Sequence, residues 1–255
     1  MQKIIIGNLK MNMLSQAERE TYLGAFKKEL TGKKINNTEI VFCPPAIHLE
    51  TFRKVLGKKV SVGGQNCFWE DKGSYTGEIS PLMLKNFGCE YVIIGHSERR
   101  KYFGENDDAI NQKVLASLKN GLSPIICVGE TKDQRQSGET MSVIMRQVKA
   151  AFLGVTAGKL EKMIVAYEPV WSVGSDSIPT ANEIMEARVL IQKILSQSFP
   201  KKYVEKMRIV YGGSVSTKTV KQACLDSGMD GALIGRESLI PREFLKIVEI
   251  INKQI

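Results

Sequence analysis

The chain has 255 residues, 43% hydrophobic and 25% charged, with a formal net charge of +9 at pH 7. That balance supplies a core and a solvated surface and excludes global disorder; no apolar run approaches the roughly 20 residues of a membrane span, and the start, Met1-Gln2-Lys3-Ile4-Ile5-Ile6-Gly7-Asn8, turns polar too soon for a signal peptide. The basic residues are scattered, with only short clusters such as Arg99-Arg100-Lys101, which predicts a solvated basic face and neither nucleic acid nor membrane as partner.

Lys3–Gly7 (KIIIG) opens a series of short, nearly continuous apolar runs. Ala17–Leu30 follows with a helical period that sets Ala17, Thr21, Leu23, Phe26 and Leu30 near one face. Further runs are Glu39–Cys43, Val60–Gly64 and Tyr91–Gly95. Ala109–Asn120 reads as a helix that Asp107-Asp108 can cap and Gly121 can end. Pro124–Val128 and Met163–Tyr167 continue the series. Asn182–Gln197 carries Ile184, Ala187, Ile191 and Leu195 on one helical stripe. Arg208–Gly212 and Gly231–Gly235 are the last runs, and a helix over Glu243–Lys253 closes the chain.

Runs of about five apolar residues suit strands buried on both faces of a parallel sheet. Eight of them, alternating with helical segments, predict an α/β fold of the (β/α)8 barrel type, whose usual length is about 250 residues. An open doubly wound sheet uses the same units. The even spread to both ends, without a linker, favours closure and one domain over residues 1–255. The five cysteines, at 43, 67, 89, 127 and 224, are odd in number and lack CxxC spacing. They read as reduced thiols and predict a cytoplasmic protein, for which the sequon at Asn36-Asn37-Thr38 has no consequence.

In parallel α/β folds, chemistry sits beyond the carboxyl ends of the strands. Asn8 and Lys10 follow the first run, and Gly95-His96-Ser97-Glu98 the fourth. Glu168 ends the sixth and leads into Pro169-Val170-Trp171. Gly212-Gly213-Ser214 follows the seventh, and Gly235-Arg236 the eighth. Closure of the barrel brings all of these to one mouth. A carboxylate can take a proton from carbon next to a carbonyl, while an imidazole and an ammonium polarise that carbonyl. Glycine-bearing turns offer backbone N–H groups to a phosphate without a metal. The set points to proton transfer within a small phosphorylated ketone or aldehyde. Singly, each member has a plainer reading: Lys10 a solvated lysine, His96 a structural histidine, Glu168 a strand end, the glycines ordinary turns. Their agreement on one rim carries the argument.

Eight stretches together resemble the triosephosphate isomerase family: Gly7-Asn8-Leu9-Lys10-Met11-Asn12, Gly64-Gln65-Asn66, Tyr75-Thr76-Gly77-Glu78, Ile94-Gly95-His96-Ser97-Glu98-Arg99-Arg100, Cys127-Val128-Gly129-Glu130, Ala166-Tyr167-Glu168-Pro169-Val170-Trp171, Tyr211-Gly212-Gly213-Ser214-Val215 and Asp230-Gly231-Ala232-Leu233-Ile234-Gly235. They run in family order along essentially the whole chain. The resemblance implies interconversion of dihydroxyacetone phosphate and glyceraldehyde 3-phosphate, in glycolysis and gluconeogenesis. It implies Glu168 as the base, His96 as the electrophile and Lys10 as the cation facing the substrate oxygens, beside Asn8. Ser97 and Glu98 resemble supporting residues, Ser97 as a partner of Glu168 before substrate binds. Phosphate is then expected at backbone N–H groups of Gly174, Ser214, Gly235 and Arg236. Pro169 to Pro179 resembles a closing lid held by Tyr211 and Ser214. The resemblance also implies a homodimer, with Thr76 on the Gly73–Glu78 loop supporting Lys10 of the other copy.

The chain departs from that family at several points. Leu9 stands where tryptophan is usual, which predicts altered packing and little loss of chemistry. Gly174-Ser175-Asp176 and Ser177-Ile178-Pro179 differ from the common lid sequences and predict a stiffer lid. Arg236 stands at a common second glycine; its side chain is expected either in solvent or as added charge near phosphate. The altered lid and Arg236 keep open an isomerase of a four-carbon phosphorylated sugar. A basic, non-catalytic barrel binding RNA or acidic partners is a third reading, disfavoured by the intact triad. A Schiff-base aldolase lacks its desolvated mid-strand lysine. No HExxH, EF-hand, P-loop or GxGxxG motif occurs, so catalysis by side chains alone, with neither metal nor cofactor, is expected.

Overall fold

The computed structural model describes residues 2–174 and 178–253. Eight parallel strands form a closed barrel in chain order: β1 (Lys3–Asn8), β2 (Thr38–Cys43), β3 (Ser61–Gly64), β4 (Tyr91–Ile94), β5 (Ser123–Val128), β6 (Ile164–Tyr167), β7 (Arg208–Tyr211) and β8 (Gly231–Ile234). β1 pairs with β2 on one side and with β8 on the other, Ile5 lying opposite both Ile40 and Ala232. This is the barrel expected from the sequence, and the closing pair rules out the open sheet.

Two apolar layers explain why the strands read as continuous runs. Alternate residues such as Ile4, Ile6, Val41, Ile93, Ile125 and Val210 fill the barrel interior. Their neighbours, among them Ile5, Ile40, Val92, Ile126 and Ile209, face outward and are covered by helices. A strand buried on both faces leaves no polar alternation to read.

The surrounding helices include α1 (Gln16–Leu30), α2 (Leu49–Leu56), α3 (Pro81–Asn86), α4 (Ser97–Phe103), α5 (Asp107–Lys119), α6 (Lys132–Gln136), α7 (Thr140–Ala151), α8 (Ala181–Ser196), α9 (Lys201–Val204) and α10 (Pro241–Asn252). The expected helices α1, α5, α8 and α10 are present, with shifted ends. α5 is capped by Asn106, whose Oδ1 accepts from the Ala109 N–H at 2.9 Å; Asp107 and Asp108 sit inside its first turn. The acidic pair therefore faces the helix dipole and leaves the cap to Asn106. On α1 the buried face is Tyr22, Leu23 and Phe26, whereas Ala17 and Thr21 are exposed. Tyr22 shifts the stripe because its hydroxyl reaches the Ser238 carbonyl at 2.6 Å while its ring packs edge-on against Phe42. Several helices that periodicity did not show, α3, α4, α6 and α9, are too short to establish a period.

The Arg99-Arg100-Lys101 cluster is not a simple solvated face. Arg99 pairs with Glu105 at 3.2 Å, Arg100 with Asp107 at 2.7 Å, and only Lys101 is exposed. All five cysteines are free and buried. Burial raises the Cys67 thiol to about 11 and those of Cys89 and Cys224 to about 12. Cys43 and Cys127 are likewise pushed up, Cys127 by burial first and by the Glu168 carboxylate second. The thiolate is the reactive form. An aromatic-disulfide thiol assay at pH 8 should therefore find almost no reactive thiol over minutes in the native protein and all five cysteines after unfolding in urea. Rapid titration of any native cysteine would contradict the burial described.

Candidate active site

β1 delivers Asn8 and Lys10 to the carboxyl end of the barrel. Leu9 between them is fully buried in the outer apolar layer, so its packing is satisfied away from the mouth. The chain then turns sharply, and Lys10 adopts φ 51°, a left-handed conformation costly for a side-chain-bearing residue. Surrounding bonds over-determine it. The Lys10 N–H donates to Asn8 Oδ1 at 3.1 Å, and Gln65 Nε2 donates to the Lys10 carbonyl at 2.8 Å and to the Cys43 carbonyl at 2.8 Å. The ammonium donates to Glu98 Oε1 at 2.6 Å.

β4 is followed by Gly95, at φ 72°, and His96 caps α4. The Glu98 N–H donates to His96 Nδ1 at 3.2 Å. With a donor aimed at Nδ1, the ring proton belongs on Nε2, the nitrogen nearer Glu168. Polar groups lie behind this turn. Glu105 accepts from the Gly95 N–H and from Arg99, each at 3.2 Å, and pairs with the buried Lys113 ammonium. Burial alone would raise the Glu105 carboxyl, but Lys113 and Arg99 together hold it below the usual carboxylate range. Arg100 donates to the Gly95 carbonyl at 3.0 Å and to the Cys127 carbonyl at 3.3 Å. The β4 and β5 ends are thus clamped to each other beneath His96.

Glu168 continues β6, its N–H donating to the Val128 carbonyl at 2.8 Å. It is only 2% exposed. Oε2 accepts from the Ser97 N–H at 3.2 Å. Oε1 lies 3.4 Å from His96 Nε2 but has no hydrogen-bond partner among the described residues. A buried carboxylate oxygen without a donor is costly unless something else is to meet it. Two glycines make room for this residue. A methyl group on Gly129 would lie 1.9 Å from the Glu168 carbonyl oxygen, and one on Gly212 would lie 2.6 Å from Glu168 Cγ.

The segment after β6 is anchored by Glu130, which is fully buried. Glu130 accepts from Trp171 Nε1 at 2.9 Å and from the Tyr167 hydroxyl at 3.2 Å. Arg135 of α6 lies over the Trp171 ring at 4.5 Å and also pairs with Glu183 of α8. Ser172 meets the Tyr211 hydroxyl at 2.9 Å, and Ser214 donates to the Ser172 carbonyl at 2.8 Å. Ser175, Asp176 and Ser177, singled out as departures in the lid, lie outside the described residues. Pro179 is buried, and its carbonyl accepts from Gln222 at 2.7 Å.

One cavity of about 370 Å³ takes in Asn8, Lys10, His96 and Glu168 together with Gly174, Ser214, Gly235 and Arg236. Those residues were expected to converge, and they do. Ser97, Glu98 and Tyr211 touch the site through the bonds just described. Ser97 reaches Glu168 through its backbone N–H. Thr76 is exposed and does not line the cavity of its own chain. Arg236 lies outside the left-handed region, so a residue with a side chain fits there. Sequence reading gave no role to Gln65, Glu105, Lys113, Glu130 or Arg135. Glu130 had a signal available: like Glu168, it is a carboxylate just beyond a fully apolar strand. Among the described residues no group of three or more His, Cys, Asp or Glu side chains is placed to hold a metal ion.

A family model described as triosephosphate isomerase matches residues 3–251. A protein named triosephosphate isomerase from Thermoanaerobacter sp. (strain X514) is 43% identical, over 96% of this chain and 98% of its own length. One from Dictyoglomus turgidum is 44% identical over 97% and 98%, and one from Clostridium tetani 41% identical over 96% and 95%.

Gly212→Ala tests the cradle around the buried carboxylate. Its methyl must push Glu168 aside, and a misplacement near 1 Å costs on the order of 10²-fold in turnover. The variant should fold, show a displaced Glu168 in a crystal structure and lose kcat on that scale. An unmoved carboxylate with undiminished kcat would remove the role assigned to the glycine.

Proposed function

The chain belongs to the triosephosphate isomerase family, and on that premise we propose how its own residues interconvert dihydroxyacetone phosphate and D-glyceraldehyde 3-phosphate, the glycolytic reaction that is its activity. The observation that carries the assignment is the meeting of Lys10, His96 and Glu168 in one cavity, with a buried Glu168 oxygen that no described residue satisfies. Glu168 is the base. It takes a proton from C1 of the ketone, leaving an enediolate; the hydroxyl proton passes from the C1 oxygen to the C2 oxygen, and Glu168 returns its proton to C2 to give the aldehyde. The Nε2–H of His96 and the Lys10 ammonium stabilise the oxygens on which charge develops. Asn8 fixes the backbone of Lys10, and Glu98 the directions of both the lysine and the imidazole. In this arrangement Ser97 holds Glu168 by one backbone bond, which the carboxylate must release to reach substrate.

The phosphate is read as bound by backbone N–H groups of Gly174, Ser214, Gly235 and Arg236, which line the same cavity. An enediolate with a neighbouring phosphate ester eliminates phosphate in water. The stretch from Pro169 to Pro179 is read as the cover that prevents this, held by Tyr211 and Ser214. Purified protein without added cofactor should turn over glyceraldehyde 3-phosphate. Glu168→Gln, nearly isosteric but unable to accept the proton, should lose about 10²–10⁴-fold in kcat with the fold retained. A Gln variant of near-normal activity would remove Glu168 as base.

We read residues 1–255 as one catalytic domain, since among the described residues no strand is left outside the barrel's single run of pairing. Free, buried cysteines support a reducing, cytoplasmic setting. Among the described residues no helix is long and apolar enough to cross a membrane.

A homodimer is supported by large apolar side chains left exposed on the β-to-α loops, just after α3 and on α4: Met11, Leu14, Tyr75, Phe87, Tyr102 and Phe103. A second copy is the occupant we assign to them, with Thr76 reaching Lys10 of that copy. Sedimentation should give twice the 28.4 kDa chain mass. Phe103→Arg should shift the mass toward that of one chain and lower kcat. A fully active wild-type monomer would overturn the dimer.

A further inference from the structure

Gln147 is a polar residue in an apolar place. The buried side chains of α7 are Val143, Ile144, Gln147, Val148 and Ala151, and Gln147 is only 5% exposed. A primary amide buried on such a stripe is costly unless both of its ends are bonded. Both are, and to the same residue. The Gly129 N–H donates to Gln147 Oε1 at 2.8 Å, and Gln147 Nε2 donates to the Gly129 carbonyl at 3.3 Å. Turning the amide over would set donor against donor and acceptor against acceptor, so the pair of bonds fixes its direction.

Gly129 follows β5 and packs directly against the backbone of Glu168. It lies outside the left-handed region, and glycine stands there because a methyl group would lie 1.9 Å from the Glu168 carbonyl oxygen. The missing side chain has a consequence. Glycine has the most freely turning backbone of all residues, and Gly129 brings no side chain with which to anchor itself. The Val128 carbonyl and the Gly129 N–H are the two ends of one planar peptide group. The Glu168 N–H donates to that carbonyl at 2.8 Å, while Gln147 takes the N–H at the other end. A tilt of this peptide would carry Glu168 with it. The carbonyl of the next residue, Glu130, accepts from the Val170 N–H at 3.0 Å, so the same stretch also holds the chain just beyond Glu168.

We propose that Gln147 is a positioning residue for the base. It acts through Gly129, locking the peptide to which the Glu168 backbone is tied, and not on the substrate. This rests on the reading of Glu168 as the base and deepens it by naming what keeps that residue in place. Among the described residues, neither Gln147 nor Gly129 lines the cavity. The effect of Gln147 therefore falls on proton transfer and leaves the binding of phosphate alone.

The experiment compares wild type with three variants. Gln147→Met keeps the length of the side chain without either hydrogen bond. Gln147→Asn sets the amide one methylene short of Gly129 and decides the matter where the Met variant does not fold. Val148→Ala opens space at the neighbouring buried position of the same helix and breaks no hydrogen bond. For each, kcat and KM for glyceraldehyde 3-phosphate, the inhibition constant of inorganic phosphate and the Tm are measured. Gln147→Met should lose about tenfold or more in kcat, because a small misplacement of a reacting group is costly. Its KM and phosphate inhibition constant should stay within about twofold of wild type. Val148→Ala should lower the Tm and keep kcat within about twofold. A folded Gln147→Met protein with kcat within about twofold of wild type would overturn the proposal. So would a rise in KM and in the phosphate constant as large as the loss in kcat, or an equal kcat loss in Val148→Ala, each the mark of general loosening. Failure of both Gln147 variants to fold would assign the residue to stability alone and overturn it too. A Glu168→Gln protein of near-normal activity would instead strike the base itself, so the two failures are distinguishable.

Discussion

The pairing of β1 with β8 is the constraint on which the rest of this molecule depends. β1 bonds to β2 along its whole length and to β8 over Ile4–Gly7. Because every strand is parallel, this closing contact sends all carboxyl ends to one side. Lys10, His96 and Glu168 come from the ends of strands one, four and six, far apart in the chain. No local interaction could bring them together. Closure does so without any of the three having to contribute to the core.

Each functional group is then held in a state it would not choose alone. Lys10 occupies the left-handed region and is kept there by Asn8 and Gln65. Glu168 is buried with one oxygen that no described residue satisfies, in a space that exists only because residues 129 and 212 lack a Cβ. His96 is oriented by a backbone N–H of the helix it caps. Such unfavourable local states survive where the surroundings over-determine them. The surroundings here are the ion pairs of Arg99, Arg100, Glu105 and Lys113 beneath the β4 turn. A fully satisfied buried network is rigid, and one that lost a member would carry an uncompensated charge.

The segment beyond β6 shows the opposite design. Its beginning is fixed by Glu130, Tyr167 and the stacked pair of Arg135 and Trp171. Its far side is fixed by the capping box of Thr180 and Glu183 at the start of α8, and Arg135 also pairs with Glu183. One arginine on α6 thus connects the two flanks. Between them, among the described residues, Ser172 meets the Tyr211 hydroxyl, Gly174 accepts from Arg236, and Ser214 of the loop after β7 donates to the Ser172 carbonyl.

Much of this was legible in the chain. The strands declared themselves because burial on both faces demands unbroken apolar runs, and their number and spacing specified the barrel. Asn8, Lys10, His96, Glu168 and the glycine turns stood out as candidates because chemistry in this fold is confined to the few residues after each strand, and the structure brings them to one cavity. The sequence could not show what depends on distance between remote groups. It placed Asp107 and Asp108 at a cap that Asn106 makes, and gave α1 a buried face that Tyr22 rotates. It read Arg99 and Arg100 as solvated, although their partners are acidic residues brought near by the turn after α4. It left Arg236 undirected, because its partner Gly174 lies 62 positions away. Period and composition are properties of neighbours along the chain and survive in the sequence. Ion pairing, side-chain direction and cavity shape are properties of neighbours in space, and only closure of the barrel decided them.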